Sequence, residues 1–188
     1  MARITYPSPD GLTERTAAAL ERMPDLNIFR MLAHADAALV PFLRMTGALW
    51  TESELSPTRR ELAILMVARL TEAEYEWRQH VSIALACGVT AQQVAAIEAG
   101  ELGSESLSDG DRALLAMTEA IVTGPRASDA VLSAALEHMT ERELVELHLV
   151  AGTYVMLARV MTNLDLEIDQ PVADTLMTES ERARKGSG

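Results

Sequence analysis

The segment of residues 58–70 constrains the fold most strongly, because it is apolar on most sides of a helix. Its apolar positions include Leu62, Ile64, Leu65, Val67 and Ala68. A helix of this kind has no face for solvent, so other elements must surround it. Ser56 and Pro57 precede it, and proline is favoured at a first helical position. The sequence therefore predicts a central, buried helix around which the rest of the core is built.

The rest of the chain carries signals of further helices and shows no sustained alternation typical of strands. Ala, Leu, Glu, Arg and Met are abundant, and aromatic residues make up only 4%. Capping residues stand at the expected helix starts, namely Thr13, Thr71, Thr90, Ser108, Ser128 and Thr140. We expect residues 26–50 to form one or two helices, with Pro41 as the position of a break. The prediction is an all-α single domain of about eight helices over residues 13–178, with an N-terminal arm (residues 1–12) and a disordered tail (residues 179–188).

Composition argues against several classes of partner. Sixteen basic and 28 acidic residues give a formal net charge of −12, which disfavours nucleic acid and anionic membrane surfaces as partners. No apolar stretch is expected to cross a membrane, and residues 1–10 lack the apolar core of a signal peptide. A cytoplasmic location is therefore expected. Cys87 is the single cysteine, which excludes an intrachain disulfide and a Cys-x-x-Cys redox centre.

Candidate acid–base groups concentrate on two neighbouring predicted helices. Glu76 and His80 are four residues apart, so they lie on one helix face, where a carboxylate can orient an imidazole. Such a pair can move a proton at neutral pH. Glu61 lies among apolar residues of the central helix and needs a partner if buried. A hairpin of the two helices could bring Glu61 to His80. These residues alone are compatible with an active site or with a structural pair.

Substrate-binding candidates surround the same helices. Arg60 and Arg78 belong to a cluster of arginines that suits a carboxylate, although the sequence leaves open which arginine points inward. Tyr75 and His34 are further candidates for lining a pocket. Too few His and carboxylate groups converge at ligand spacing for a metal site, and no phosphate-binding loop is present. We therefore expect neither a metal nor another cofactor.

Five segments carry a family resemblance. They are Leu26-Asn27-Ile28-Phe29-Arg30, Arg60-Glu61-Leu62-Ala63-Ile64-Leu65, Tyr75-Glu76-Trp77-Arg78-Gln79-His80, Ala86-Cys87-Gly88-Val89-Thr90 and residues 154–163. Over residues 26–169 the chain resembles the carboxymuconolactone decarboxylase family, which also includes the alkylhydroperoxidase D-like proteins. The resemblance implies an all-α fold, assembly into homotrimers or homohexamers, and an active site near a subunit interface.

One departure from the family separates this chain from the peroxidase branch. That branch has a Cys-x-x-Cys pair ending four residues before the histidine, and the matching positions here are Ala73 and Glu76. Glu61 and His80 do match the branch's glutamate and histidine. Peroxide reduction by that route needs a thiolate and a resolving thiol, so we do not expect thiol peroxidase activity.

The resemblance that remains is to the decarboxylase branch. Loss of carbon dioxide from an unsaturated acid leaves a dienolate that must be protonated, and His80 is the expected proton donor, oriented by Glu61 and Glu76. The expected function is a cofactor-independent lyase acting on a small unsaturated acid or lactone, so the expected substrate is anionic or a lactone, and the arginines suit the anion. Another acid–base isomerase or dehydratase, or a ligand-binding oligomer without catalysis, is the alternative.

Overall fold

In a computed structural model of the chain, residues 1–171 are described. They form a short 3-10 helix, Pro9–Gly11, and nine α-helices, and they contain no strand. The helices are α1 Glu14–Leu20, α2 Asn27–Leu32, α3 Asp36–Thr51, α4 Pro57–Leu70, α5 Glu74–Ala86, α6 Ala91–Ala99, α7 Asp109–Thr123, α8 Asp129–His138 and α9 Glu141–Leu164. The all-α prediction is confirmed. The tail of residues 179–188 and the predicted domain end at 178 lie outside the described residues.

Helix α4 is the centre of the molecule, as its sequence predicts. All residues from Arg60 to Ala68 are buried. Helices α5, α6, α7 and α9 pack around it. Its aliphatic side chains join the main core with Leu114, Leu115 and Leu147. Burial of each such side chain contributes about 1.5–3 kcal/mol, so this helix is firmly held.

Local capping chemistry sets most of the helix starts. The side chains of Thr13, Ser56, Thr90, Ser108, Ser128 and Thr140 each accept a hydrogen bond from a backbone N–H in the first turn. Thr71 does not cap α5, contrary to our expectation. Its hydroxyl donates to the carbonyl of Val67 at 2.7 Å and so belongs to the end of α4. Glu72 then adopts a positive φ of 55°, and α5 starts at Glu74 without a side-chain cap.

The predicted break at Pro41 is wrong. Helix α3 continues through Pro41, and the chain turns earlier, at residues 33–35. Proline removes only its own N–H from the helix, and close to the start this affects a single hydrogen bond. At the turn, the N–H groups of His34 and Ala35 bond to the carbonyls three residues back, at 3.2 and 2.9 Å. This tighter winding ends α2 and redirects the chain into α3.

A second, smaller core joins α2, α5, α9 and the segment that follows α9. Its buried members are Leu26, Ile28, Met31, Tyr75, Met161 and Leu166. The N-terminal arm is hydrogen-bonded to the same region. The N–H of Arg3 donates to the Leu164 carbonyl at 2.8 Å, and the Tyr6 hydroxyl donates to Glu167 Oε2 at 2.8 Å. Both ends of the described chain therefore meet on one side of the fold.

Helix α9 has one face in the core and one apolar face outside. By length and composition it could cross a membrane, contrary to the expectation from the sequence, with a mean hydropathy of 1.4 in its most apolar window. The inner face packs on α4 and α7 and carries the buried Glu146. Val145, Leu149 and Met156 are exposed, and their spacing of four and seven residues places them on one side of the helix. We call these three residues the outer stripe of α9.

Candidate active site

The hairpin of α4 and α5 brings the predicted glutamate and histidine together. His80 Nδ1 lies 2.8 Å from Glu61 Oε2, and Glu61 is completely buried. The other carboxylate oxygen of Glu61 accepts a hydrogen bond from Nε of Arg60 at 3.2 Å. Arg60, Glu61 and His80 thus form one connected chain of charge-assisted hydrogen bonds. Because Nδ1 faces a carboxylate, the proton of a neutral ring resides on Nδ1.

Arg60 lies behind this chain and not in front of it. Only 2% of its surface is exposed. Its Nη1 donates to the Trp50 carbonyl at 3.2 Å, and its guanidinium stacks over the Trp50 ring at 4.1 Å. Its positive charge is therefore paired with Glu61 and does not line the cavity described next. Arg60 thus contacts Glu61 and lies outside the cavity lining, so this geometry gives no support to its predicted role in substrate binding.

A cavity of about 280 Å³ opens beside His80 between α2, α3, α5 and α9. Its lining is mainly apolar and consists of Met23, Leu26, Ile28, Phe29, Phe42, Leu43, Thr46, Gly47, Trp50, Thr51, Tyr75, Glu76, Gln79, His80, Ile83, Tyr154, Leu157 and Met161. Among residues 1–171 no lysine or arginine contributes to this lining. Since Nδ1 of His80 is held by Glu61, Nε2 is the ring nitrogen available to a ligand.

Glu76 lies in the cavity wall. Contrary to our expectation, it makes no hydrogen bond to His80. Only 1% of its surface is exposed, and neither carboxyl oxygen has a hydrogen-bond partner in the described part of the chain. Burial raises the pKa of Glu76 well above its usual range, and the nearby charge of Glu61 raises it further. Burial therefore favours the neutral acid form of Glu76, which can donate a proton or a hydrogen bond. Glu61 alone orients the imidazole.

Gln79 is a site residue that the sequence reasoning missed. Its Nε2 donates to the backbone carbonyls of Asp169 at 2.9 Å and Gln170 at 3.3 Å. These bonds determine the orientation of the amide, and they leave Oε1 buried without a partner in residues 1–171. Gln79 is three residues from Glu76, so helical spacing alone could have placed it on the same face. Its tether to residues 169–170 has no local sequence signal.

Two tyrosine rings complete the wall around the histidine. Tyr75 lines the cavity as predicted, but its hydroxyl donates to a carboxylate oxygen of Asp169 and is not free for a ligand. Tyr154, which we did not single out, places its ring 4.9 Å from that of His80 in an edge-to-face arrangement. Its hydroxyl is hydrogen-bonded to the Trp50 side chain. Burial raises the pKa of both tyrosines, so both remain neutral.

Two predicted substrate-binding residues lie outside the cavity. His34 is exposed, and its Nε2 donates to the Thr5 carbonyl at 2.8 Å. Arg78 is also exposed and pairs with Glu74 one turn earlier on α5. Helical geometry explains why Arg78 points away from the cavity. It is two positions from both Glu76 and His80, so it projects from the opposite side of α5. Neither residue lines the cavity, so the role of both in substrate binding stays a prediction that this geometry does not support.

The described residues offer no group of three or more His, Cys, Asp or Glu side chains that could hold a metal ion. Cys87 follows α5 directly, seven residues after His80, and is not part of the cavity lining. The polar groups of the cavity lining include an imidazole, a buried carboxyl and an amide oxygen. Together they can transfer protons and form hydrogen bonds.

The model of the carboxymuconolactone decarboxylase family matches residues 37–102, which include Glu61, Glu76 and His80. No curated protein matches the chain. A crystal structure of the alkylhydroperoxidase AhpD core, an uncharacterized peroxidase-related protein from Ralstonia eutropha JMP134, superposes with a TM-score of 0.77. The two chains are 16% identical, and the match covers 89% of this chain and 92% of the other.

A second similar structure is a protein of unknown function from Agrobacterium tumefaciens, assigned provisionally to the antioxidant defence protein AhpD. It has a TM-score of 0.65 at 17% identity, and the match covers 80% of this chain and 99% of the other. At these identities the likeness shows the fold. The resemblance predicted from the sequence is confirmed: residues 37–102 match the carboxymuconolactone decarboxylase family, and the chain has an alkylhydroperoxidase D-like fold.

Proposed function

We propose that the chain is a cofactor-independent acid–base enzyme of the lyase type, in which His80 transfers a proton within the cavity. The observation that carries this proposal is the Arg60–Glu61–His80 chain, which ends on the wall of an apolar cavity. Because Glu61 holds Nδ1 of His80 and the residue lines the cavity, Nε2 is the ring nitrogen left for a bound molecule. Family membership of residues 37–102 supports the same chemistry.

In this proposal Glu61 and His80 have separate roles. Glu61 keeps a proton on Nδ1 of His80 and stabilises the imidazolium when Nε2 is also protonated. In a decarboxylation, the bond between the carboxylate and the substrate carbon breaks, carbon dioxide leaves, and the electron pair passes into a dienolate. The Nε2 proton then moves to the terminal carbon of that dienolate, and water reprotonates the ring. General acid help of this kind accelerates a reaction by roughly a hundred- to ten-thousandfold.

A specific observation favours the second candidate, an isomerase or dehydratase that uses the same groups. The cavity lining within residues 1–171 has no lysine or arginine to hold a substrate carboxylate. Isomerisation and dehydration need only a proton donor and acceptor, which His80 and the neutral Glu76 supply. An uncharged lactone or ketone would suit this lining better than a free acid.

Thiol peroxidase chemistry has less support, although one similar structure is called peroxidase-related. The chain has one cysteine, so no thiol is present to resolve a sulfenic acid within the same chain. In place of the second cysteine of the peroxidase branch stands Glu76, a carboxyl group in the cavity wall.

The proposal is tested by proton exchange in deuterated buffer. A panel of small unsaturated acids, lactones and enolisable ketones is incubated with the protein, and mass spectrometry follows deuterium incorporation and loss of carbon dioxide. We expect His80→Ala to lower the rate on any accepted compound at least about a hundredfold. His34→Ala is the matched control, since His34 is exposed and outside the cavity. Full turnover by His80→Ala would refute the proposal.

We also propose that the chain self-associates into a homotrimer or homohexamer through the outer stripe of α9. Val145, Leu149 and Met156 expose apolar surface on one helix side, and Leu132 and Leu136 of α8 are exposed as well. Gly152 lies between Leu149 and Met156 with open space around it, which permits close approach of a second helix. A second copy of the chain presents the same apolar stripe and can cover it.

Sedimentation velocity tests the self-association. We expect the wild type to sediment as a trimer or hexamer, and Val145→Glu combined with Leu149→Glu to sediment as a smaller species with unchanged helix content. Glu141→Lys on the polar start of the same helix is the control. A wild-type monomer would refute the proposal, and binding of the wild type to neutral lipid vesicles would identify a membrane as the occupant instead.

A further inference from the structure

We infer that the cavity accepts an uncharged, largely apolar molecule with one hydroxyl or carbonyl group, and not an anionic acid, which is one of the two substrate classes expected from the sequence. This inference deepens the proposed function and rests on it only in treating the cavity as the substrate site. It favours the isomerase or dehydratase reaction over decarboxylation, which requires a carboxylate. Three features of the lining carry the inference: the absence of a cation, the neutral state of its acid, and a buried pair of unpartnered hydrogen-bonding groups.

The cavity offers no permanent positive charge to an anion. Its lining includes six large apolar side chains, those of Phe29, Phe42, Leu43, Ile83, Leu157 and Met161. The nearest guanidinium, that of Arg60, is paired with Glu61 behind the wall. A carboxylate buried against such a surface would lose its hydration without gaining an ion pair, which strongly disfavours binding. His80 is the one lining side chain in the described chain that can become cationic, and its Nδ1 already faces a carboxylate.

Two groups in the wall lack hydrogen-bond partners and complement each other. The oxygens of Glu76 and Oε1 of Gln79 are buried without partners in residues 1–171. Buried polar groups are nearly always paired, so these atoms indicate a ligand with matching groups. Neutral Glu76 can donate to an oxygen, whereas Oε1 of Gln79 can only accept. One hydroxyl group satisfies both, and a carbonyl satisfies Glu76. A carboxylate has no hydrogen to give to Gln79.

Helical geometry keeps the two groups together. Glu76 and Gln79 are three residues apart on α5, and the two hydrogen bonds from Gln79 Nε2 to residues 169 and 170 prevent its amide from turning over. Oε1 of Gln79 therefore remains a hydrogen-bond acceptor at this point of the wall. The site favours a bound molecule that carries a hydrogen-bond donor over one that carries only acceptors. With a cavity of about 280 Å³, a bicyclic aromatic compound is within the accessible size.

A matched set of fluorescent probes tests the charge preference. 1-Naphthalenemethanol, 1-naphthoate and naphthalene share one ring system and differ in the polar group. Fluorescence titration at neutral pH should give a dissociation constant for the alcohol at least about tenfold below those of both other probes. Equal or tighter binding of 1-naphthoate would overturn the inference. Failure of all three probes to bind would also overturn it, and equal binding of naphthalene would overturn its hydrogen-bonding part.

Two pairs of variants locate the preference in the cavity. Thr46→Lys places an ammonium group on the α3 wall and should reverse the preference in favour of 1-naphthoate, whereas Met45→Lys on the exposed side of α3 should not. Glu76→Leu should weaken the binding of 1-naphthalenemethanol until it equals that of naphthalene. Glu76→Gln retains a hydrogen-bond donor and should therefore still bind the alcohol more tightly than the other two probes. Unchanged selectivity in Thr46→Lys or Glu76→Leu would count against the inference.

The binding experiment separates this inference from the proposed function. His80→Ala should retain the preference for the alcohol, because the selecting groups are on other residues. If His80→Ala keeps full turnover while the alcohol preference persists, the proposed catalytic role fails and the ligand class stands. If turnover depends on His80 but 1-naphthoate binds best, the ligand class fails and the proton-transfer role stands.

Discussion

The two sides of the cavity differ in how they are packed. On one side, α5 carries His80 and is backed by α4, in which every residue from Arg60 to Ala68 is buried. On the other side, α3 buries only Leu39 and Leu49 among its 16 residues. The groups that must keep a defined geometry for proton transfer are thus on the firmly packed side. The loosely packed side contributes mainly shape and apolar surface.

This division has a physical basis. A hydrogen bond between Glu61 and His80 is strong only while both remain desolvated, and the core around α4 excludes water from them. A wall that selects ligands can be rearranged at lower cost, because few core contacts depend on it. Residues of α3 should therefore tolerate substitution with changes in ligand affinity, while substitutions in α4 should first change stability.

The largest expected effect is that of Glu61→Ala on the packed side. Removing this carboxylate leaves the buried charge of Arg60 without its partner, which we expect to lower the free energy of unfolding by about 3–5 kcal/mol. Chemical denaturation measures this loss of stability. If Glu61→Ala does not fold, Glu61→Gln, which is nearly the same size as the wild-type residue, takes its place in the measurement. Glu74→Ala removes an exposed ion pair and should leave stability unchanged. An unchanged free energy of unfolding in both Glu61 variants would contradict the interpretation that the packed side holds this ion pair.

The two sides of the cavity can be compared by truncating one aliphatic side chain on each side. Ile64→Ala in α4 should cost about 2–5 kcal/mol, because this fully buried side chain leaves a cavity. Leu43→Ala in α3 removes a half-buried side chain and should cost much less while weakening the binding of 1-naphthalenemethanol. Urea unfolding and fluorescence titration of both variants measure these effects. Equal losses of stability would remove the distinction between the walls.

Glu76 makes stability depend on pH. Below the usual pKa of the carboxyl group, near 4.5, Glu76 is protonated in both the folded and the unfolded chain. As pH rises above that value, only the unfolded chain ionises, so the raised pKa in the fold costs stability until the folded pKa is reached. We expect Glu76→Gln to gain about 1.4 kcal/mol per pH unit relative to wild type across this range. Unfolding curves measured at successive pH values above about 4.5 check this, and a parallel pH dependence of the two proteins would contradict it.

The smallest expected effect concerns the tie between α2 and the segment after α9. Asn27 Nδ2 donates to the Glu167 carbonyl at 3.0 Å, and Asn27→Ala removes this partly exposed bond. We expect a loss of about 0.5–1.5 kcal/mol in the free energy of unfolding. Asn163→Ala is the control at an exposed position. An effect as large as that of Ile64→Ala would mean that the second core, and not α4, dominates the fold.

Much of the architecture could be predicted because its signals are local. The apolar surface of residues 58–70 indicated a buried helix, and threonine or serine caps indicated the starts of α6 to α9. Pro41 misled us because its effect depends on its distance from the helix start. Thr71 misled us because a hydroxyl can bond backward to the preceding helix as well as forward.

The site could be predicted only where helical spacing and one short hairpin decide it. Glu61 and His80 fall into this class, since a turn of three residues joins their helices. Whether Arg60 points inward, or whether Glu76 finds a partner, depends on Trp50 in the preceding helix and on the packing of the whole core, which no local pattern specifies. Gln79 is held by residues 90 and 91 positions away, a relation that no spacing reveals.

The tether of Gln79 also has a consequence for biosynthesis. Its partners, the carbonyls of Asp169 and Gln170, are made 90 and 91 residues after it, when α4 and α5 have long left the ribosome. The nascent chain can therefore pack its central helices early, yet its amide acceptor acquires a defined orientation only after residues 169 and 170 have been made. Ligand selectivity thus matures after the central helices have formed, and a chain truncated before Asp169 should retain its helices but discriminate poorly among bound molecules.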